Sequence, residues 1–428
     1  MGKVNPAREA ALASLIKMKS GKYSNLEVNA TLVKTELEGA DRGLYTALVY
    51  GVCERVITLD RIIAKYSKIS VGEIDEKTLA VLRMGLYQLA FMDKIPDHAA
   101  VDESVTLAGR KSGGFVNAIL RSFIRDEKEL PLPEKKDSEY LSVAYSVPEA
   151  LCRRFTEWYG FEETEKIFSS FLKKEKITLR VNTLRISVEN VLEQLGAERS
   201  ELVDTSVCAE SFECVSDGIE KGLWFVQDSA SALAAKVLGA KGGETVVDTC
   251  ACPGGKSFSI AVDMENKGRL YSFDIHENKL SLIRKGARKL GIDIITASAR
   301  DARKPDESLF EKADRVLCDA PCSGLGVIGK KPDIKYKDIS SIDSLPKIQY
   351  DVLCGAAKYV KSGGTLVYST CTLNPEENFA VCKRFLENHS DFSLKPFSYA
   401  NGECDGSLTL LPHIHKTDGF YICKMKRK

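Results

Sequence analysis

Apolar residues recur at helical spacing through the first 130 residues. Ala11, Leu12, Leu15 and Ile16 predict a helix over 7–19. Leu44, Ala47, Leu48, Val52, Val56, Leu59, Ile62 and Ile63 predict one over 41–66, and Leu79, Leu82, Leu86 and Leu89 one over 77–92. After Pro96, stretches 101–108 and 115–124 complete a bundle of about six helices, with Gly113-Gly114 as the turn between the last two. Residues 126–139 are charged, bear prolines and lack an apolar stripe, as a linker does. Beyond them the period changes. Residues 148–159 read as a helix closed by Gly160, 177–182 alternate as a strand, 187–196 read as a helix, and 201–226 hold short strand-like runs.

From residue 245 strands and helices alternate. Strands are expected at 245–248, 269–274, 292–297, 315–318, 365–369 and 419–424, and helices at 256–262, 278–290, 346–360 and 374–388. Asn374, Pro375 and Glu377 read as the N-cap, first turn and capping box of the last helix. That alternation implies an α/β fold: a mostly parallel, Rossmann-like sheet, preceded by a small α/β module and an all-helical domain. The expected boundaries are 1–130 for the helical domain, 131–139 for a linker, 140–235 for the small module and 236–428 for the sheet domain.

Composition narrows the class. With 44% hydrophobic and 28% charged residues among 428, the chain is an ordinary globular protein with no apolar run long enough to span a membrane. Residues 1–6 have neither a signal-peptide core nor the hydroxyl residue of a myristoylation site. Thirteen scattered cysteines without a Cys-x-x-Cys pair argue against zinc and for a reducing cytoplasm. The net charge of +1 leaves nucleic-acid contact to local clusters: Lys173, Lys174, Lys176 and Arg180; Lys330, Lys331, Lys335 and Lys337; Lys424, Lys426, Arg427 and Lys428.

The candidate chemistry lies at expected strand ends. The first strand of the sheet runs into Cys250-Ala251-Cys252-Pro253-Gly254-Gly255-Lys256, whose glycines let backbone approach a ligand. Gly255-Lys256-Ser257 resembles the end of a P-loop, but Cys250 stands where that loop needs glycine, and GxGxxG is absent. Asp274, Asp301 and Asp319 follow successive strands, a pattern suited to a nucleoside without phosphates, such as S-adenosylmethionine. Two thiols, Cys322 after Pro321 and Cys371 after Thr370, also sit at strand ends.

The helical segments "DRGLYTALVYGVCERVITLD", "LRMGLYQLAFMDKIPDHAAVDESVTLA" and "GGFVNAILRSF" resemble the NusB-like RNA-binding domain. That resemblance puts Arg110, Lys111 and Arg121 near phosphates. "DTCACPGGK", "FDIHENKL", "ARDA", "DAPCSGLG", "KKPDIKY" and "YSTCTLNPEEN" together resemble the RNA 5-methylcytosine methyltransferases, of the RsmB (Sun) type that acts on small-subunit ribosomal RNA. The small module resembles their pre-catalytic domain. The resemblance implies S-adenosylmethionine at 250–256, Asp274, Asp301 and Asp319, and ribosomal RNA as partner of a cytoplasmic monomer. It makes Cys371 the nucleophile and Cys322 the residue that releases product. The chemistry of two thiols alone leaves that order open, and DNA cytosine methyltransferases use the Pro-Cys cysteine instead. Asp319, its pKa raised by burial, is expected to steady the cytosine, Lys256 to position the reacting groups, and Lys330, Lys331 and Lys335 to meet phosphates.

Overall fold

A computed structural model describes residues 5–19, 24–35, 37–173, 176–400 and 402–428. Residues 1–4 and Lys174 lie outside the described residues. The chain packs as two units. One comprises residues 1–172 with 328–337, the other 173–327 with 338–428.

The first unit is helical: α1 (Pro6–Lys19), α2 (Ser24–Lys34), α3 (Gly39–Tyr66), α4 (Glu76–Phe91), α5 (Asp97–Arg125), α6 (Ser138–Tyr145), α7 (Glu149–Tyr159) and α8 (Phe161–Phe171). The apolar stripes named above close the core, with Leu48, Leu59, Ile62, Ile63, Leu82, Leu86, Leu120 and Phe123 all buried. Asp75 caps α4 by accepting the Thr78 N–H at 3.1 Å. The pair of helices expected around Gly113-Gly114 is one run, α5, and its kink lies earlier, at Gly109 (φ 76°). Gly113 instead lets α5 pack close to Val105. Helices α6–α8 fold onto the bundle: Ser146 Oγ accepts the Ile57 N–H at 2.9 Å, and Thr58 Oγ1 donates to the Val143 carbonyl at 2.6 Å. By packing, the unit therefore ends at Leu172, whereas the charged stretch at 131–139 had suggested a boundary there.

Residues 328–337 return to this helical unit from the other one. Their 3₁₀ turn, Pro332–Tyr336, buries Pro332, Ile334 and Lys335. Lys335 Nζ donates to the Glu54 carbonyl at 2.6 Å and Tyr336 Oη to the Cys53 carbonyl at 3.2 Å, both on α3.

The second unit opens with β1 (Ile177–Val181), α9 (Val188–Leu195), β2 (Glu198–Arg199), β3 (Ser206–Ala209), α10 (Phe212–Glu220) and β4 (Trp224–Val226), an antiparallel sheet in the order β2-β3-β1-β4. Helix α10 was not expected from the sequence. It packs on Trp224, whose indole N–H donates to the Val215 carbonyl at 2.9 Å. The main sheet follows: α11 (Ser229–Leu238), β5 (Thr245–Asp248), α12 (Gly255–Asp263), β6 (Arg269–Asp274), α13 (Leu280–Leu290), β7 (Ile295–Ala299), β8 (Ala313–Asp319), α14 (Ile339–Asp343), α15 (Leu345–Ala357), β9 (Val360–Thr370) and α16 (Phe379–Asn388). The chain ends with β10 (Phe392–Leu394), a hairpin of β11 (Phe397–Tyr399) and β12 (Gly402–Cys404), then β13 (Ser407–Leu410), α17 (Pro412–His415) and β14 (Phe420–Arg427).

Strand order is β10-β14-β9-β8-β5-β6-β7, with β13 also paired to β14. Strands β5 to β9 are mutually parallel and β14 runs against β9. Because β5 lies between β6 and β8, the order reverses beside it, and ligands of open α/β sheets bind at the carboxyl edge of such a reversal. The Rossmann-like expectation holds. Strands β5 and β6 match their expected bounds, and β9 starts five residues early. Helix α16 begins at Phe379, not Asn374.

Candidate active site

The parallel register sets Asp248, Asp274, Asp319 and Thr370, the last residues of β5, β6, β8 and β9, at one edge of the sheet. Residues 249–256 cross that edge. Thr249 N–H donates to the Leu317 carbonyl at 3.0 Å and Ala251 N–H to the Phe273 carbonyl at 2.7 Å, so neighbouring strands clamp the loop. The Cys252–Pro253 peptide is cis and Gly254 has φ 117°, where a Cβ would also strike the Phe258 ring. Asp274 accepts the Cys252 N–H at 3.1 Å on one oxygen and the His276 N–H at 2.9 Å on the other. Asp301 is gripped by Arg303, whose hydrogen bonds hold its carboxyl below the usual range. Asp248 is buried. Its Oδ2 accepts from Ser257 Oγ at 2.7 Å, its Oδ1 has no donor, and burial pushes its pKa up to about 7.

Asp319 stands at the centre. Lys256 Nζ donates to its Oδ2 at 2.7 Å and Ser369 Oγ to its Oδ1 at 2.8 Å. Burial alone would lower the pKa of the Lys256 ammonium. The charge of Asp319 and its hydrogen bond, with Cys371 and Asp248 behind them, outweigh burial and hold it above its ordinary value. The structure thus gives each Asp319 oxygen a donor, one of them a cation.

The two thiols meet. Cys322 Sγ and Cys371 Sγ are 3.2 Å apart, although 49 residues separate them. The contact with Cys371 and burial raise the Cys322 thiol well above its ordinary value. Burial also raises Cys250, Cys252 and Cys318, so these stay protonated structural thiols at the same edge. The Cys371 carbonyl accepts the Gly326 N–H at 3.0 Å, and Gly326 passes so close to Gly419 that a Cβ would overlap its carbonyl.

Sequence reasoning misread one carboxylate and misplaced several cations. Glu377 does not cap a helix. It is fully buried and joins the loops that carry the two cysteines. The only advance signal was its place six residues after Cys371. Lys335 is no phosphate contact: it is buried against α3, and burial lowers its pKa to about 7. Lys330 and Lys331 are exposed, as are Arg110, Lys111 and Arg121 along α5. Lys176 is bound by Glu198 and Glu210, and Arg180 is buried on Asp263 at 2.5 Å. In the last cluster, burial lowers Lys424 to about 8 and Arg427 pairs with Glu311 and Asp391.

A reversed parallel sheet with a glycine loop and carboxylates at its edge defines a Rossmann-like methyltransferase. Comparison with known proteins agrees. Residues 235–426 match the family described as 16S rRNA methyltransferase RsmB/F, residues 5–125 the NusB family, and residues 147–215 the ferredoxin-like domain of RsmF/B-like methyltransferases. A probable ribosomal RNA small subunit methyltransferase B of Bacillus subtilis is 38% identical over the full length of both chains. A ribosomal RNA small subunit methyltransferase B of Vibrio cholerae is 30% identical, covering 100% of this chain and 99% of its own. The crystal structure of a methyltransferase homologue from Pyrococcus horikoshii is 29% identical and superposes with a TM-score of 0.59 over 67% of this chain and 97% of its own.

The chain belongs to the RsmB/F family of ribosomal RNA small-subunit methyltransferases. It is an RNA methyltransferase and its cofactor is S-adenosylmethionine. The edge residues fit that cofactor. The carboxylate of Asp274, held by one backbone N–H on each oxygen, is an acceptor of the kind a ribose hydroxyl needs, and Asp248 Oδ1 is a buried acceptor without a protein donor. Lys256 is held by Asp319, so it offers no phosphate clamp. Among the described residues no helix is long and apolar enough to cross a membrane.

Proposed function

We propose that this enzyme methylates carbon 5 of a cytosine in small-subunit ribosomal RNA through a covalent adduct with Cys371. The observation that carries the reading is the pair of thiols in contact beside the Lys256–Asp319 ion pair. Carbon 5 of cytosine is a poor nucleophile until a thiolate adds at carbon 6 and leaves an enamine. The resemblance of "DAPCSGLG" and "YSTCTLNPEEN" to the RNA 5-methylcytosine methyltransferases supports Cys371 as the attacking sulfur. Asp319 would give a proton to ring nitrogen 3, or accept a hydrogen bond from the exocyclic amine, as negative charge builds on the ring during addition, and Lys256 fixes its orientation. S-adenosylmethionine supplies the methyl group. Cys322, as thiolate, then takes the carbon 5 proton, the electrons of that bond restore the double bond between carbons 5 and 6, and the Cys371 sulfur leaves carbon 6 as thiolate.

The target base must leave its stack to reach this edge, which favours a single-stranded or locally opened site. The same reading takes residues 1–130 as an RNA-binding domain, with Arg110, Lys111 and Arg121 on the exposed side of α5, and residues 140–235 as a second RNA-binding module. Lys330 and Lys331, which follow the Cys322 loop in the sequence, are the remaining candidates for phosphate contact. The experiment is transfer of labelled methyl to total RNA, followed by separation of small-subunit and transfer RNA and nucleoside analysis. Label is expected in 5-methylcytidine. Label in another nucleoside would refute the chemistry, and label in transfer RNA alone would refute the substrate.

A further inference from the structure

We infer that Glu377 is a positioning residue that holds the Cys322 loop against the Cys371 loop, so that elimination can follow addition. The inference rests on the two-thiol reading above and deepens it. Glu377 is 0% exposed, and its carboxylate meets five donors. Oε2 accepts the Ser323 N–H and a Gln349 Nε2 hydrogen, each at 2.8 Å. Oε1 accepts from Ser323 Oγ at 2.5 Å, Asn374 Nδ2 at 3.1 Å and Thr372 Oγ1 at 3.3 Å. Ser323 follows Cys322 and Thr372 follows Cys371. Gln349, on α15, also donates to the Pro321 carbonyl at 3.0 Å, so both flanks of Cys322 hang from one carboxylate. Asn378 completes the frame. It accepts from Thr370 Oγ1 at 2.5 Å and donates to the Thr372 carbonyl at 2.9 Å, on either side of Cys371.

A buried carboxylate is costly unless its lone pairs are filled, and here the filling groups come from the two loops whose thiols must meet. The charge faces Cys322 as well. Contact with Cys371 and burial raise that thiol most, and the charges of Glu377 and Asp319 add to them. The five donors to Glu377 come from residues other than the two cysteines. Its part is to set their distance.

Two variants separate geometry from charge. Glu377→Gln keeps the shape, because its amide can face the rotatable hydroxyls of Ser323 and Thr372. Glu377→Ala leaves the donors of both loops unmatched. The first readout needs no RNA: the rate at which diamide, itself reduced to the hydrazine, oxidises Cys322 and Cys371 to a disulfide, read by peptide mass mapping. Glu377→Ala is expected to slow it at least about tenfold, with Glu377→Gln in between. The second readout is turnover. Both variants should keep the KM for RNA, lose kcat and accumulate the protein–RNA adduct, because elimination needs both thiols and addition only one. Each variant is compared at equal folded fraction by near-UV circular dichroism. Should Glu377→Ala not fold, Glu377→Gln carries the test alone. A wild-type disulfide rate in a folded Glu377→Gln or Glu377→Ala would overturn the inference, as would a kcat loss without adduct. If Cys322→Ala in parallel gives no adduct, the two-thiol reading fails, while the disulfide rate still decides the role of Glu377.

Discussion

Replacing Lys335 by Met removes a charge that the fold has taken out of water. Its side chain is 3% exposed and its ammonium has one protein acceptor at 2.6 Å, the Glu54 carbonyl. Burial lowers its pKa from 10.5 to about 7. A lysine with a depressed folded-state pKa binds fewer protons folded than unfolded between the two values, so wild-type stability should rise as pH rises from 7 to 10.5. A shift of that size corresponds to about 5 kcal/mol against the folded state below pH 7, falling to about 2 kcal/mol at pH 9, as upper bounds. Met fills much of the same apolar volume and forfeits one hydrogen bond, worth about 1 kcal/mol. Lys335→Met should therefore be neutral or stabilising at pH 7, and wild type should gain about 2 kcal/mol on it between pH 7 and pH 9. Urea denaturation of both proteins at the two pH values measures this. Parallel pH dependence in the two proteins would refute the buried-lysine argument. So would a Lys335→Met protein whose RNA affinity falls and whose salt slope drops by about 1, the signature of a lost phosphate contact.

Other residues give independent checks. Asp319→Asn leaves Lys256 without its carboxylate and should cost kcat about 10²- to 10³-fold, with little change in RNA affinity, in methyl-transfer kinetics. Unchanged kcat would remove Asp319 from the chemistry. Asp248 has a folded-state pKa raised to about 7, so its ionisation works against the fold as pH rises from about 4 through 7. Asp248→Asn should gain on wild type over that range, by up to about 4 kcal/mol at pH 8, in thermal or urea unfolding. A constant difference across pH would show that Asp248 is ionised throughout. Gly254→Ala places a Cβ 2.5 Å from the Phe258 ring at a positive φ, and should weaken S-adenosylmethionine binding in calorimetry more than it lowers the melting temperature.

The sequence spoke most clearly where a local pattern and a local constraint coincide. Strands β5 and β6 are short apolar runs ending in a carboxylate, and both have their expected bounds. The acids and thiols at strand ends were legible because a parallel sheet brings those ends to one edge. What stayed hidden depends on contacts distant in the chain. Residues 328–337 pack on α3, with Lys335 281 residues after its partner Glu54, which turned Lys335 from an expected phosphate ligand into a core residue. Asn374 and Glu377 have the spacing of a capping box, but the donors of Ser323 and Gln349 claim Glu377, and α16 starts later. In α5 a Gly-Gly pair was read as the turn, yet Gly109 takes the positive φ while Gly113 serves close packing. Strands β10 to β13 are three or four residues long, too short for alternation to show.

In the proposed mechanism the chemistry occurs where Cys322 and Cys371 meet, and the division of labour between them is the central claim. The most direct measurement is to incubate Cys322→Ala and Cys371→Ala with S-adenosylmethionine and small-subunit RNA, resolve protein–RNA adducts on denaturing gels, and map the linked peptide by mass spectrometry. The account predicts an adduct from Cys322→Ala, linked through Cys371, and neither adduct nor product from Cys371→Ala. An adduct from Cys371→Ala, linked through Cys322, would contradict it.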